Sequence, residues 1–361
     1  INVFQDGNDK LAEILKNHTE EIKKEEGTLR MIVQPDASVI SGILRLCGRT
    51  ESNVRIDHII CLSDQPDKIE DGKLYNLECL KKILPLYNYN YDYNSWYYYG
   101  NTSYVDMAFV MFPYMVLTSE YACMLSADIK SGCITRDKEI IKMLEERFTS
   151  YRKKSRRLVN CISNIMEQFD VVGTAVSTKY SGYNLQMEPC VMTFLDQEII
   201  EKYLSPQMPN REYFVKETIA YCKNLSAQNI TYIFSMDGLL HFLETGTIRE
   251  LSPDIYIRPA LEDRVKIIER ILHPEGGQKV KILKQKIGHP ETDVNILVTS
   301  EHGLLRVAVP AKNIFLDMIL EESGVLYSFY DFCENLGNVM FYGQEEAERL
   351  VLEHAKMLQC E

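Results

Sequence analysis

The sequence predicts an α/β protein built from two lobes, and three observations carry that prediction. The chain has 361 residues, more than one small core accommodates, and the usual size relation suggests about two domains. Helix-period and strand-period segments alternate along it, the pattern that favours largely parallel sheets with helices on their faces. A Thr-Ser-Glu-aromatic sequence also occurs twice between apolar β-like runs, in "VLTSEYACML" from Val116 and "LVTSEHGLLRV" from Leu297. The expected lobes are residues 1–157, with an aromatic insertion near 36–105, and residues 158–361.

Taken in order, Leu11, Ile14, Leu15, His18 and Ile22 recur at helical spacing, and Gly27 supplies a stop signal. "TLRMIV" then reads as a strand, "DASVISGILRLCG" as a helix, "VRIDHIICL" as a strand and "LYNLECLKKILPL" as a helix closed by Pro85. Strand-like runs follow in "VDMAFVMF", "YMVLTSEYACMLS" and "SGCIT". From Asp137 a 3.6-residue period runs through Ile140, Leu144, Phe148, Tyr151, Leu158, Ile162 and Phe169. It predicts a long helix, or a pair, bridging the lobes.

"YSGYNLQMEP" and "LSPQMPNRE" read as turns around Pro189, Pro206 and Pro209. "REYFVKETIAYCKNL" is the next helix, and "MDGLLHFLETG" is a short one ending at Gly246. "LEDRVKIIERIL", Glu275-Gly276 and "KVKILK" repeat the order helix, Glu26-Gly27 and "TLRMIV". Aligned in this way, 91 positions separate Gly27 from Thr118 but only 23 separate Gly276 from Thr299, so 68 more lie in the first half. Two explanations stay open, a diverged internal duplication and a chance match of three residues.

Composition narrows the function. The apolar share of 45% and charged share of 25% are those of a packed globular chain. A net charge of −12 disfavours sequence-independent nucleic-acid binding, which needs a basic face to release counterions. The exception is "YRKKSRR" at 151–157, read as a solvated helix face or, less favoured, a site for an anionic partner. Ten cysteines without a C-x-x-C pair suggest thiols in a reducing compartment, and the cytoplasm is the expected address. No run reaches the roughly 18 apolar residues of a membrane span, so no membrane partner is expected.

The densest chemical feature is "YNYNYDYNSWYYYG" at 87–100. Tyr87, Tyr89, Tyr91 and Tyr93 alternate with Asn88, Asn90, Asp92 and Asn94, the period of a strand with rings on one face and polar groups on the other. Tyrosine combines broad contact area with a polar tip, which suits ligand and partner surfaces. The candidate ligand-binding residues are Tyr89, Tyr91, Tyr93, Trp96 and Tyr98, together with His302 in the second Thr-Ser-Glu turn. The alternative for the rings is an aromatic mini-core at the edge of the first lobe, and for His302 a ring at a turn.

Catalytic and metal signals are sparse. His58 and Cys61, three apart in a strand, point to opposite faces and cannot pair within it. A core Cys61 with a solvent-facing or hydrogen-bonded His58 is the favoured reading. The remaining histidines show no H-x-x-x-H or H-E-x-x-H spacing, so no metal ligands and no catalytic residues are named. "EGGQK" is no phosphate loop and "YSGYN" no nucleophile elbow, so no cofactor is expected.

Two halves built as helix, strand, strand-turn-strand, strand and closing helix resemble the tandem α/β lobes of the phospholipase D superfamily. That resemblance implies an H-x-K-x(4)-D motif in each lobe, one histidine attacking phosphorus and the other protonating the leaving group. The nearest match is "HAKMLQCE", with His354, Lys356 and Glu361, which lacks the terminal Asp and has no first-half counterpart. The body, including "MDGLLHFLETGTIRELSPD" and "FYDFCENL", also resembles the effector part of helix-turn-helix transcriptional regulators of Firmicutes. This resemblance implies a sensor of a small-molecule ligand or protein partner, touching DNA only through a segment lost before Ile1. An enzyme of phospholipase D-like or other α/β ancestry, and a protein that homodimerises through the tyrosines, are the competing expectations.

Overall fold

The computed structural model describes residues 2–5, 27–35, 54–64, 72–89, 91–100, 112–128, 130–162, 181–208, 210–248, 251, 255–274, 276–287, 294–309 and 314–360. The helices expected at 10–26 and 36–48 and the strand expected at 105–111 lie outside them. Ile1–Asn160 with Glu322–Ser328 form one compact unit, and Cys161–Glu321 with Phe329–Glu361 form the other. The fold is α/β in both.

In the first unit, strands Thr28–Ile32 (β2), Arg55–Leu62 (β3) and Asp92–Tyr99 (β4) lie side by side and parallel. An antiparallel meander of Tyr114–Leu117 (β5), Ala122–Leu125 (β6) and Ser131–Thr135 (β7) begins beside β2. Asn2–Gln5 (β1) pairs with β7 at one edge and Arg156–Arg157 (β8) with β4 at the other. Central β3 and β4 are buried at nearly every position, as parallel strands covered on both faces must be.

Helix Gly72–Ile83 (α1) connects β3 to β4, and helix Lys138–Lys154 (α2) follows the meander. Asp137 caps α2 by accepting from the N–H groups of Glu139 and Ile140. Ile141, Leu144 and Phe148 of α2 pack on Ile32, Ile59, Trp96, Met115 and Leu117 of the sheet.

The second unit repeats this plan. Ser181–Leu185 (β10), Asn229–Ser235 (β11) and Lys279–Leu283 (β12) are parallel neighbours. Val294–Thr299 (β13), Gly303–Val309 (β14) and Ile314–Leu320 (β15) form the meander, starting beside β10. Asn160–Ile162 (β9) closes the edge next to β15. Helices Gln197–Tyr203 (α3) and Arg211–Ser226 (α4) connect β10 to β11, and Met236–Thr245 (α5) and Leu261–Leu272 (α6) connect β11 to β12. Ser323–Glu334 (α7), whose residues to Ser328 belong to the first unit, follows the meander, and Gln344–Cys360 (α8) is the last helix. Gly246, at φ 64°, stops α5 where a side chain would be strained.

The Thr-Ser-Glu sequences are the same turn in both meanders. Thr118 N–H donates to the Tyr121 carbonyl at 2.9 Å, and Thr299 N–H to the His302 carbonyl at 2.9 Å. Each threonine Oγ1 accepts from the N–H groups two and three residues on, at 3.2 and 3.0 Å in the first and 3.3 and 3.0 Å in the second. Residue type, hydrogen bonds and place in the sheet coincide, so the repeat is structural.

Its alignment differs from the expected one. The counterpart of β2 is β10, the strand beside the meander, whereas "KVKILK" forms β12 and corresponds to β4. Helix, Glu-Gly and strand recur in this order at two different crossovers, and local order cannot tell them apart. The aromatic stretch is therefore no insertion near 36–105, because its second half is the third parallel strand of the common framework. The longer copy is the second, with 118 positions from Ser181 to Thr299 against 90 from Thr28 to Thr118.

Two further expectations change. α2 ends at Lys154, where Ser155 N–H turns back to the Arg152 carbonyl and its Oγ donates to the Tyr151 carbonyl. Of the apolar residues that prolonged the helical period, Leu158 lies buried in a bend just past β8 and Ile162 in strand β9, and Phe169 lies outside the described residues. "SGYNL", expected in a turn, is strand β10. Gly182 marks close backbone approach, since a Cβ there would stand 2.2 Å from the Val298 carbonyl oxygen of β13.

Among the described residues no helix is long and apolar enough to cross a membrane. The eight cysteines with described side chains are free thiols.

Candidate functional site

β4 distributes the aromatic stretch over both faces of the first sheet. Pro85 begins a 3-10 turn over Leu84–Asn88, so Tyr87 precedes the strand and the Tyr/Asn alternation is not one extended ladder. Tyr93, Ser95, Tyr97 and Tyr99 share one face of β4, while Asn94, Trp96 and Tyr98 occupy the other.

On the first face, the His58 ring is fully buried. Its Nε2 lies 2.8 Å from the Val33 carbonyl, which can only accept, so Nε2 carries the proton. Nδ1 then accepts from the Tyr93 hydroxyl at 2.7 Å. Tyr87 stacks edge-on to Tyr93 at 4.9 Å and shares a 2.7 Å hydrogen bond with Ser95 Oγ. The hydrogen-bonded reading of His58 holds, and Cys61 is half-buried rather than core.

Burial, partly offset by the Val33 hydrogen bond, pushes His58 down to about 4 from 6.5. A depressed histidine loses stability as pH falls, because below 6.5 the unfolded chain takes up a proton that the folded chain refuses. The unfolding free energy is expected to drop by roughly 3 kcal/mol from this group between pH 6.5 and 4, at about 1.4 kcal/mol per unit. Urea titrations of the wild type and His58→Gln across that range should show a shallower pH dependence in the variant; parallel curves would refute it.

At the carboxyl ends of β3 and β4 the polar groups converge on Glu322, which precedes α7 and is 1% exposed. Oε1 accepts from the Tyr99 hydroxyl at 2.7 Å, the Gly324 N–H at 3.1 Å and Asn76 Nδ2 at 3.3 Å. Oε2 accepts from the Val325 N–H at 2.7 Å. Asn76, on α1, also clasps Ser63 just past β3, accepting from its N–H at 2.9 Å and donating to its carbonyl at 3.0 Å. Burial first, and the Glu322 carboxylate with it, holds the Tyr99 hydroxyl protonated far above pH 10, against the opposing Ser323 hydrogen bond. The same two causes, in the same order, raise Tyr97, whose ring meets Tyr99 edge-on at 5.4 Å.

The carboxyl ends of parallel strands are where open α/β sheets place ligands. Tyr99 is 38% exposed, so the node is reachable from solvent. Its chemistry is that of a buried carboxylate held by a phenol, an amide and the first N–H groups of a helix. It can exchange these bonds for those of a polar ligand.

The six residues singled out from sequence are not brought together. Tyr93 and Trp96 are buried on opposite faces, while Tyr89, Tyr91 and Tyr98 are half-buried. Tyr89 stacks on Tyr91 at 5.7 Å, and Tyr98 packs against Tyr151 of α2 at 5.6 Å. His302 is exposed at a hairpin tip of the second unit, where the matching Tyr121 is buried. His354 shares a 2.7 Å hydrogen bond with Glu244. Glu322, Asn76 and Tyr99 were missed as a group because no local pattern joins residues 223 and 246 positions apart. The usable signal was "EESG" before an apolar helical run, an acidic start to a helix.

A second opening lies in the other unit, lined by Met192, Ile199, Tyr203, Phe214, Thr218 and Tyr256 among others. Its free space of about 20 Å³ is room for a water-sized guest.

No family model matches the chain, and no curated protein sequence matches it. Among solved structures, polyphosphate kinase from Porphyromonas gingivalis is similar with a TM-score of 0.29 and 11% identity over 92% of this chain and 46% of that one. Phosphatidylserine synthase from Haemophilus influenzae Rd KW20 is similar with a TM-score of 0.26 and 10% identity over 99% and 93%. The chain thus spans less than half the length of the kinase. Likeness at this level carries no argument about activity.

Proposed function

We propose that the chain is a ligand- or partner-sensing effector region of a transcriptional regulator, with the Glu322 node as its sensing site. The observation that supports the reading is the Glu322 carboxylate itself. It fastens the start of α7 to the edge of the first sheet through Tyr99 and Asn76. A ligand that takes over the Tyr99 or Asn76 bonds favours an arrangement in which α7 starts differently, and so shifts the population of two states. The regulator role adds the resemblance in segment order noted above, and DNA contact is assigned to a segment outside this chain.

A thermal-shift screen of organic acids, sugars and nucleosides tests the site, with Tyr99→Phe as the comparison. Hydrogen exchange at Gly324 and Val325 follows any hit. The expected result is a compound whose stabilisation is lost in Tyr99→Phe and which alters exchange at those two amides. A shift that is equal in both proteins places binding elsewhere. For the regulator role, a helix-turn-helix encoded upstream is the expected finding, and an initiation codon directly before Ile1 would sink it.

A further inference from the structure

The opposite face of β4 carries a different chemistry. Trp96 is 9% exposed, and its Nε1–H is buried without a hydrogen-bond acceptor. The Arg152 guanidinium, from the last turn of α2, lies on the indole ring, and the Arg157 guanidinium carbon, from β8, is 5.3 Å from its centroid. Arg157 donates to the Asn94 amide oxygen at 2.7 Å, so its partner is neutral. Arg55 is occupied, bonding both oxygens of Asp57 at 3.1 and 3.2 Å.

Among the described residues no carboxylate stands within ion-pair distance of Arg152 or Arg157. The buried indole N–H without an acceptor is the unusual group, and beside it stand two guanidinium groups, one half-buried and one exposed, whose nearest influential carboxylate, Asp57, is already bonded to Arg55. Desolvation first, offset in part by the field of Asp57 and reinforced by the smaller fields of Arg157 and Arg55, makes the Arg152 charge costly where it stands. An added oxyanion offsets the two guanidinium charges, and guanidinium forks match phosphate geometry.

We propose that Arg152, Arg157 and Trp96 form a binding site for the phosphate group of a small molecule. The buried indole leaves no free ring face for a nucleobase, so recognition is of the oxyanion and not of a stacked base. The site is distinct from the Glu322 node, on the other face of the same strand, and stands whether or not that node senses a ligand. It also gives the "YRKKSRR" run a role that a solvated helix face would not.

Trp96 is the chain's one tryptophan, so its fluorescence reports on this site alone. The experiment titrates the intact chain with inorganic phosphate, glycerol phosphate and acetate, with potassium chloride holding ionic strength constant. The expected result is a saturable change in emission with either phosphate, at lower concentration than with acetate. The midpoint should weaken by about tenfold or more in Arg157→Ala, the worth of one charge-assisted hydrogen bond. Arg152→Lys keeps the charge without the planar fork and should weaken it as well. A response that never saturates, or midpoints unchanged in both variants with wild-type circular dichroism, overturns the proposal.

Discussion

Glu322→Ala is expected to lower the unfolding free energy by about 2–4 kcal/mol, because neutral donors that share this one carboxylate are left without an acceptor. The carboxylate accepts four hydrogen bonds, from Tyr99, Asn76, Gly324 and Val325. Its removal strands donors in a region where Asn76 is 2% exposed and cannot turn to water. The lost cap contributes about 1 kcal/mol of the total. Tyr99→Phe removes the bond to Glu322 and a longer, 3.2 Å one shared with the exposed Ser323 hydroxyl, and should cost only about 1 kcal/mol. Denaturant unfolding of both variants checks the pair of values. A loss below that of Tyr99→Phe would show that Glu322 does not hold the node together.

The second large effect concerns the other unit. Arg306 of β14 and Asp317 of β15 stand directly opposite in register. They form a two-pronged ion pair, Nε to Oδ1 at 2.5 Å and Nη2 to Oδ2 at 2.7 Å, with residue exposures of 6% and 8%. Breaking such a pair leaves an uncompensated charge in the interior, so Arg306→Met and Asp317→Leu should each cost about 3–5 kcal/mol. The double variant replaces both charges by apolar groups and should lie within about 1 kcal/mol of the wild type. A double-mutant cycle measures this, and single costs that simply add would show that the two residues do not act as a pair.

Much of the framework was legible because its signals are local. "VRIDHIICL", "SGCIT", "KVKILK" and "IFLDMIL" became β3, β7, β12 and β15, and the periodic runs at 211–226, 236–245 and 261–272 became α4, α5 and α6. The Thr-Ser-Glu turn was the most telling, since threonine's hydroxyl must satisfy two following N–H groups wherever that turn forms. What failed did so for a physical reason in each case. "YSGYN" carries the composition of a turn, yet Gly182 is there because β13 leaves no room for a side chain. The helical period beyond Lys154 came from Leu158 and Ile162, which are apolar because they are buried, one in a bend and the other in a strand.

The aromatic stretch shows where the boundary falls. Its residue types alone require burial or partnership for many rings, and that expectation holds for Tyr93, Trp96 and Tyr97. Which ring meets which partner was decided by the 3-10 turn at Pro85 and the register of β4 against β3, which send Tyr93 to His58 and Trp96 to the arginines. The α/β class, the paired meander turns and most helices follow from groups a few residues apart and can be read along the chain. The alignment of the repeat, the Glu322 node and the Arg152–Trp96–Arg157 cluster arise on folding, because each depends on strands and helices brought together from distant parts of the chain.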